Sequence, residues 1–273
     1  MTFTTRSLLC PVDLSDHSRV ALEYAVAWAH RFDATLTLLS VNEPILVKAA
    51  TATYGPDYLA HKSAGLLRDF HAGSVPVGTT WVTDPQLVVR EGHPADEILA
   101  VARERGADLV VMGTHGLGGY RKLFFGSTTE KVLQETSVPV IAVPMSEHPL
   151  VSLDAEGPTF DLERLLVPVD FETATRADVQ VAVDLGTALD VPLLLLHVVT
   201  PAHADQHWRT ALEAEDRIRV AEARDRMATL ATEVGTHGRL ETHVAVGRVA
   251  DEIAATAAER HARLVVMGLR RGG

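Results

Sequence analysis

The chain has 273 residues, 47% hydrophobic and 22% charged, with a formal net charge of −11. That length suits two domains of about 100–150 residues each, and the composition is that of a folded protein rather than a disordered one. The acidic balance argues against a nucleic-acid partner, the absence of any apolar run of about 18 residues argues against a membrane span, and a single cysteine, Cys10, rules out an internal disulfide framework.

The opening residues, Met1-Thr-Phe-Thr-Thr-Arg-Ser7, lack the basic start and apolar stretch of a secretory leader, so a cytoplasmic setting is expected. Short β-branched or leucine-rich runs predict strands at Ser7–Val12, Ala34–Val41, Val82–Val89, Leu109–Gly113 and Val138–Val143. Between them, Val20, Leu22, Ala25, Val26 and Ala29 fall at near-helical spacing and predict a helix over Ser18–Phe32, with Ser15 or Asp16 as its N-cap. Pro94–Arg105, with proline in its first turn and Gly106 after it, and Ser127–Thr136 are predicted helices too. This strand–helix alternation implies an α/β fold with parallel strands, right-handed crossovers and an open sheet covered on both faces. The stretch Glu147–Thr159 carries two prolines and a glycine and reads as a linker. The expected organisation is a first domain over 1–147, a linker over 148–160 and a second domain over 161–273.

The two halves repeat each other. Leu8-Leu-Cys-Pro-Val-Asp13 returns 157 positions later as Leu165-Leu-Val-Pro-Val-Asp170, and Leu36–Val41 returns as Leu193–Val198. At an offset of 155, Ala95-Asp-Glu-Ile98 meets Ala250-Asp-Glu-Ile253, and Leu109-Val-Val-Met-Gly113 meets Leu264-Val-Val-Met-Gly268. Four matches in the same order mark a tandem duplication.

The segment richest in chemistry is Met112-Gly-Thr-His-Gly-Leu-Gly-Gly-Tyr-Arg-Lys-Leu-Phe-Phe-Gly-Ser-Thr-Thr129. A buried strand ends at Met112, a glycine-rich loop follows, and Gly126-Ser127-Thr128 opens a helix. Glycines let a backbone approach a ligand closely, and free N–H groups at a helix start favour phosphate. Ser127 and Thr128 supply hydroxyls that cap the helix or donate to phosphate oxygens, and Arg121 and Lys122 add positive charge. The alternative is an ordinary βα connection with a capped helix. Neither G-x-x-x-x-G-K-[ST] nor G-x-G-x-x-G is present.

The spacing Gly113-x2-Gly116-x9-Gly126-Ser127, with Pro11-Val-Asp13-x-Ser15 and Gly92-x-Pro94-x-x-Glu97-Ile98, resembles the ATP-binding branch of the universal stress protein family over nearly the whole chain, as two domains in tandem. The resemblance implies two Rossmann-like domains of flavodoxin-like type. Each would have a parallel five-stranded sheet of order 3-2-1-4-5, the second lacking its last strand. It also implies ATP, with or without Mg²⁺, across the carboxyl ends of the first sheet. Carried over by motif, Pro11 and Asp13 lie at the nucleoside, Val41 offers backbone to the adenine edge, and Met112, Gly113, Gly116, Gly126, Ser127 and Thr128 surround the phosphates, with His115 beside them. Asp13 also has a plain reading as an N-cap, and His115 as a solvent-facing loop histidine. The second repeat keeps Pro168-Val-Asp170, Val198 and Met267-Gly268, but Arg271 stands at the second glycine position and the Gly-Ser half is missing. A homodimer through the edge at Val138–Val143 is expected from the family resemblance and from the apolar character of that edge.

Other candidates are weaker. His203 and His207 share a helical spacing that could suit a metal, yet no cysteine accompanies them. Cys10, inside an apolar strand, reads as an inert core residue. The stretch Glu213–Arg226 reads as an exposed, ion-paired helix. No Ser/His/Asp constellation stands out, and the loop after the first strand is Pro11-Val-Asp-Leu-Ser-Asp16 rather than an adenylating S-G-G-x-D-S. A nucleotide-binding regulatory module acting on an unidentified protein partner is therefore favoured over a slow ATPase, and over a scaffold that binds no nucleotide.

Overall fold

The computed structural model describes residues 5–77, 79, 81, 84–114, 125–171, 175–201, 209–234 and 239–268. The chain divides between Phe160 and Asp161 into two compact units. In the first, β1 (Ser7–Pro11), α1 (Asp16–Phe32), β2 (Thr35–Asn42), α2 (Pro44–Tyr54), α3 (Tyr58–Ala72), β3 (Gln86–Glu91), α4 (Pro94–Glu104), β4 (Leu109–Gly113), α5 (Ser127–Glu135) and β5 (Val140–Val143) follow in order. The sheet order is β3-β2-β1-β4-β5, with every described pairing parallel. The chain order reverses at β1, which lies between β2 and β4, so their carboxyl ends form a crevice at the topological switch point.

Strand alternation sends side chains to both faces. Leu9, Leu39, Val88, Val110 and Met112 meet Ala95, Ile98, Val101 and Ala102 of α4 and Val132 of α5 on one face. Leu8, Cys10, Leu38 and Val111, also fully buried, alternate to the other face, where α1 packs. Burial on both faces is why these strands are continuous apolar runs, as parallel sheets require. Cys10 is buried with its thiol pKa pushed up by desolvation, which keeps it from ionising. Helix α1 starts on Ser15, whose hydroxyl oxygen accepts from the Ser18 N–H at 3.2 Å.

Three features depart from the sequence reading. Between Val41 and Val82 no element is singled out by patterning, yet α2 and α3 lie there. Helix α2 buries none of its residues and so has no core-facing stripe, whereas α3 buries Ser63, Leu67 and Phe70 and carries Leu59, Leu66, Leu67 and Phe70 at helical spacing, a signal that was there to be read. The third strand, expected over Val82–Val89, is β3 from Gln86 to Glu91; residues 82 and 83 lie outside those described. The stretch 148–160, expected as a linker, has structure of its own. It contains a hairpin, β6 (Val151–Leu153) with β7 (Pro158–Phe160), that belongs to the first unit. Leu150 donates its N–H to the Tyr24 hydroxyl at 2.7 Å, Trp81 donates its indole N–H to the Asp154 carbonyl at 3.2 Å, and Phe160 sits edge-on to Trp28 at 5.4 Å. Aromatic packing against α1 overrides the proline and glycine that marked the stretch as a connection.

The second unit contains β8 (Arg164–Pro168), α6 (Thr175–Leu189), β9 (Leu193–Val199), α7 (Arg209–Val234), β10 (Leu240–Val246), α8 (Val249–Glu259) and β11 (Ala262–Val265). Its sheet, of order β10-β9-β8-β11, reproduces the first four strands of the first unit and has no counterpart of β5 among the described residues. Leu166, Leu194, Leu196, Ala245 and Ala262 form its core with Ile253 and Ala257 of α8.

Candidate functional site

The carboxyl end of β1 delivers Pro11, half-buried, and then turns sharply. Asp13 is exposed and its Oδ1 accepts from the Ser15 N–H at 3.1 Å and from the Ser15 hydroxyl at 2.5 Å. Ser15, not Asp13, caps α1; Asp13 holds the capping residue in place. Leu14 between them has a φ of 64°, in the left-handed region that a branched side chain seldom enters. Phe171 repeats this at 62° in the second unit, so the turn survives duplication despite its cost.

Val41, one residue before the end of β2, packs its side chain against the core on the α4 face. Its neighbour Asn42, which the sequence reading passed over, is only 6% exposed. The Ser63 hydroxyl donates to Asn42 Oδ1 at 2.8 Å, while Asn42 Nδ2 is buried with no partner among the described residues. A buried donor left unpaired costs about 1–3 kcal/mol. An asparagine closing an otherwise apolar strand was the available signal.

The phosphate-loop residues are brought together by three contacts around the end of β4. Thr114, buried just past Gly113, donates its N–H to the Val143 carbonyl at 3.0 Å and accepts from the Gly126 N–H at 2.8 Å. The loop therefore leaves and returns at one point. Thr129, in the first turn of α5, donates its hydroxyl to the Gly113 carbonyl at 2.9 Å. Met112 is buried in the core below. Gly126 is the N-cap of α5, with Ser127 and Thr128 as the first two helical residues, and no described side chain caps the helix start. The expectation that Ser127 or Thr128 caps α5 is thus corrected: the backbone runs extended through Gly126, and both hydroxyls fall inside the first turn, Ser127 exposed and Thr128 half-buried. First-turn N–H groups without a side-chain acceptor suit an anion. His115, Gly116, Arg121 and Lys122 lie outside the described residues.

The Gly92-x-Pro94-x-x-Glu97 motif has a local role. A Cβ on Gly92 would stand 2.7 Å from Glu97 Oε1 and 2.9 Å from its Cγ, so the Glu97 side chain folds back over the glycine at the start of α4. Gly247 and Glu252 repeat the arrangement before α8. Glycine leaves room for that packing, which gives the motif a local role without a ligand.

In the second unit Asp170 and Val198 hold the places of Asp13 and Val41, and Gly268 that of Gly113. Here the Asp178 carboxylate of α6 presses against Gly268 in the space a Cβ would take, whereas the position corresponding to Asp178 in the first repeat is Ala21. Burial and then the charge of Asp170 push the Asp178 carboxyl above its ordinary pKa. A carboxylate there opposes a phosphate at this crevice. His203 and His207 lie outside the described residues, and no group of three or more His, Cys, Asp or Glu side chains suited to a metal occurs among those described. No helix among the described residues is long and apolar enough to cross a membrane.

Comparison with known proteins agrees with the tandem architecture. The family model described as the universal stress protein family matches residues 4–144 and again 162–273. A universal stress protein of Thermus aquaticus is 33% identical over 144 residues, covering 50% of this chain and 98% of that protein. The universal stress protein YxiE of Bacillus subtilis is 31% identical over 147 residues, covering 50% of this chain and 97% of its own. Among solved structures, a universal stress protein from Archaeoglobus fulgidus superposes with a TM-score of 0.61 at 18% identity, covering 97% of this chain and 88% of that one, a likeness of fold.

Proposed function

Because the chain belongs to the universal stress protein family, with the family's domain present twice, we propose that its first repeat is an ATP-binding regulatory module and that the second does not hold nucleotide in the same way. The observation that carries this reading is the closure at the end of β4. Thr114 and Gly126 join the two ends of the glycine loop, Thr129 ties α5 to Gly113, and among the described residues no side chain caps the start of α5 beside the crevice of the switch point.

In this reading Gly113, Gly126, Ser127 and Thr128, with His115 and Gly116 of the intervening loop, surround the phosphates. Pro11 and Asp13 border the nucleoside, Met112 supports the strand end, and Val41 offers its backbone to the base. The residues fit the ligand: backbone donors meet the anionic end, and the unpaired Asn42 amide beside Val41 supplies a buried donor near the base. ATP, with or without Mg²⁺, would bring a charged group whose binding stiffens the β4–α5 connection. In this reading the module binds and signals, and the alternative is a slow ATPase in which Asp13 and His115 support hydrolysis. Among the described residues strand β5 is an edge of the first sheet, with Val140, Ile141 and Ala142 only half-buried, which supports a homodimer built across that edge.

The test is calorimetric titration of the nucleotide-stripped chain with ATP and Mg²⁺. About one ATP per chain is expected. Two per chain would overturn the assignment of the second repeat, and no binding at millimolar ATP would overturn the nucleotide reading in favour of a scaffold.

A further inference from the structure

On the second sheet, Leu194 and Leu196 face α8, so by alternation His197 and Val199 face α7 on the opposite side. Helix α7 presents Arg219, Glu222, Ala223 and Arg226 there, positions that share one helical face. Phe171, held in its left-handed turn after β8, places its ring 4.4 Å from the His197 ring and 4.1 Å beneath the Arg226 guanidinium. Together these residues line a cavity of about 210 Å³.

Its polar groups are fixed but not used up. His197 Nδ1 lies 2.7 Å from the Val169 carbonyl, which can only accept, so Nδ1 carries the proton and Nε2 is left for another partner. Arg219 uses Nη1 on the Thr200 carbonyl and the Asp216 carboxylate, both at 3.0 Å. Arg226 uses Nη2 on the Phe171 carbonyl at 3.4 Å. The other N–H groups of both guanidiniums make no hydrogen bond to a described residue. Val199 and Ala223 are buried and make the floor apolar, and Glu222 is the one carboxylate of the lining.

We propose that the second repeat carries here a binding site for a compact oxyanion, a phosphate or a small carboxylate, held by Arg219, Arg226 and His197. Guanidinium forks match the paired oxygens of such groups. The volume is below the roughly 300–1,000 Å³ of sites for drug-sized ligands and matches a small anion better than a whole nucleotide. The site lies on the face opposite to Val198, so it stands independently of the nucleotide reading of the first repeat.

The test follows the His197 imidazole resonance of the full, nucleotide-stripped chain by NMR, assigned through its loss in His197→Gln. Inorganic phosphate and succinate are titrated separately, and the one acting at lower concentration identifies the ligand class. The expected result is a saturable shift below about 10 mM, weakened about tenfold in Arg219→Gln and in Arg226→Gln, and strengthened about twofold in Glu222→Gln, which removes the opposing charge. If neither anion moves the resonance, or if both arginine variants respond like the parent, the site is refuted. Arg226 also supports Phe171, so its variant can fail to fold. Glu222 is exposed and bonded to no described residue, and its variant then decides: tighter binding supports the site, unchanged or weaker binding overturns it.

Discussion

Thr129 joins the two halves of the candidate site with one hydroxyl. Its side chain is buried and its bond to the Gly113 carbonyl is the link between α5 and β4. Thr129→Val keeps the shape and removes the donor, so a stability loss of about 1 kcal/mol is expected by urea unfolding, with weaker ATP binding because the loop ends are no longer tied. Gly126→Leu tests the ligand more directly. The φ of −62° at Gly126 imposes no backbone strain on a side chain, and the added bulk obstructs the start of α5; an unchanged melting temperature without nucleotide is the control that the fold is kept. ATP affinity should fall at least about tenfold by calorimetry, and an unchanged affinity would mean that no phosphate lies there. Asp178 provides a pH dependence. Its carboxyl pKa is raised in the folded chain, by burial and then by Asp170, so folding is disfavoured once the group is ionised. That penalty is absent below the unfolded value of about 3.9 and complete above the raised native one. Asp178→Asn should therefore raise the melting temperature at neutral pH, with the gain vanishing near pH 3; a lower melting temperature at neutral pH would contradict this.

Among the elements, the 148–160 hairpin shows how local signals mislead. Proline and glycine marked a connection, but Phe160 on Trp28 and Leu150 on Tyr24 fasten it to α1. Tyr24→Phe leaves the buried Leu150 N–H without its acceptor and should cost about 1–3 kcal/mol. Faster proteolysis within 148–160 is the accompanying sign, and unchanged protection would show that the hairpin is held mainly by its aromatic contacts. Helix α2 was illegible for the reverse reason. A helix that buries little apolar surface leaves no periodic pattern, however regular its backbone. Strands β1, β2 and β4 were legible to within a residue or two because burial on both faces forces an unbroken apolar run.

At the scale of the molecule, two units with separate cores are expected to unfold in separable steps, so one melting temperature does not describe the chain. If the first repeat alone holds ATP, saturating nucleotide should raise only one of two calorimetric transitions. At a hundredfold excess over Kd the gain is about 2.7 kcal/mol. A shift of both transitions would assign nucleotide to the second repeat as well.

By itself the sequence determined the duplication, the parallel strand–helix alternation and the sheet order that the family resemblance carries. These rest on periodicity and on motifs that stay local to a few residues. It also named the residues at the ends of β1, β2 and β4, though not how Thr114, Gly126 and Thr129 lock them together, because hydrogen bonds across the chain have no local signature. The pentapeptide Leu-Val-Val-Met-Gly marks the boundary between the two kinds of knowledge. At Leu109–Gly113 its first four residues are buried, whereas at Leu264–Gly268 the first three are half-buried and Met267 is exposed. The same five residues run as a strand beside β1 and begin as one beside β8. In the first unit β5 pairs with β4 on its outer side, and no described strand lies beyond β11. Composition fixes how readily a segment leaves water, but only the neighbours supplied by the tertiary structure decide whether it does.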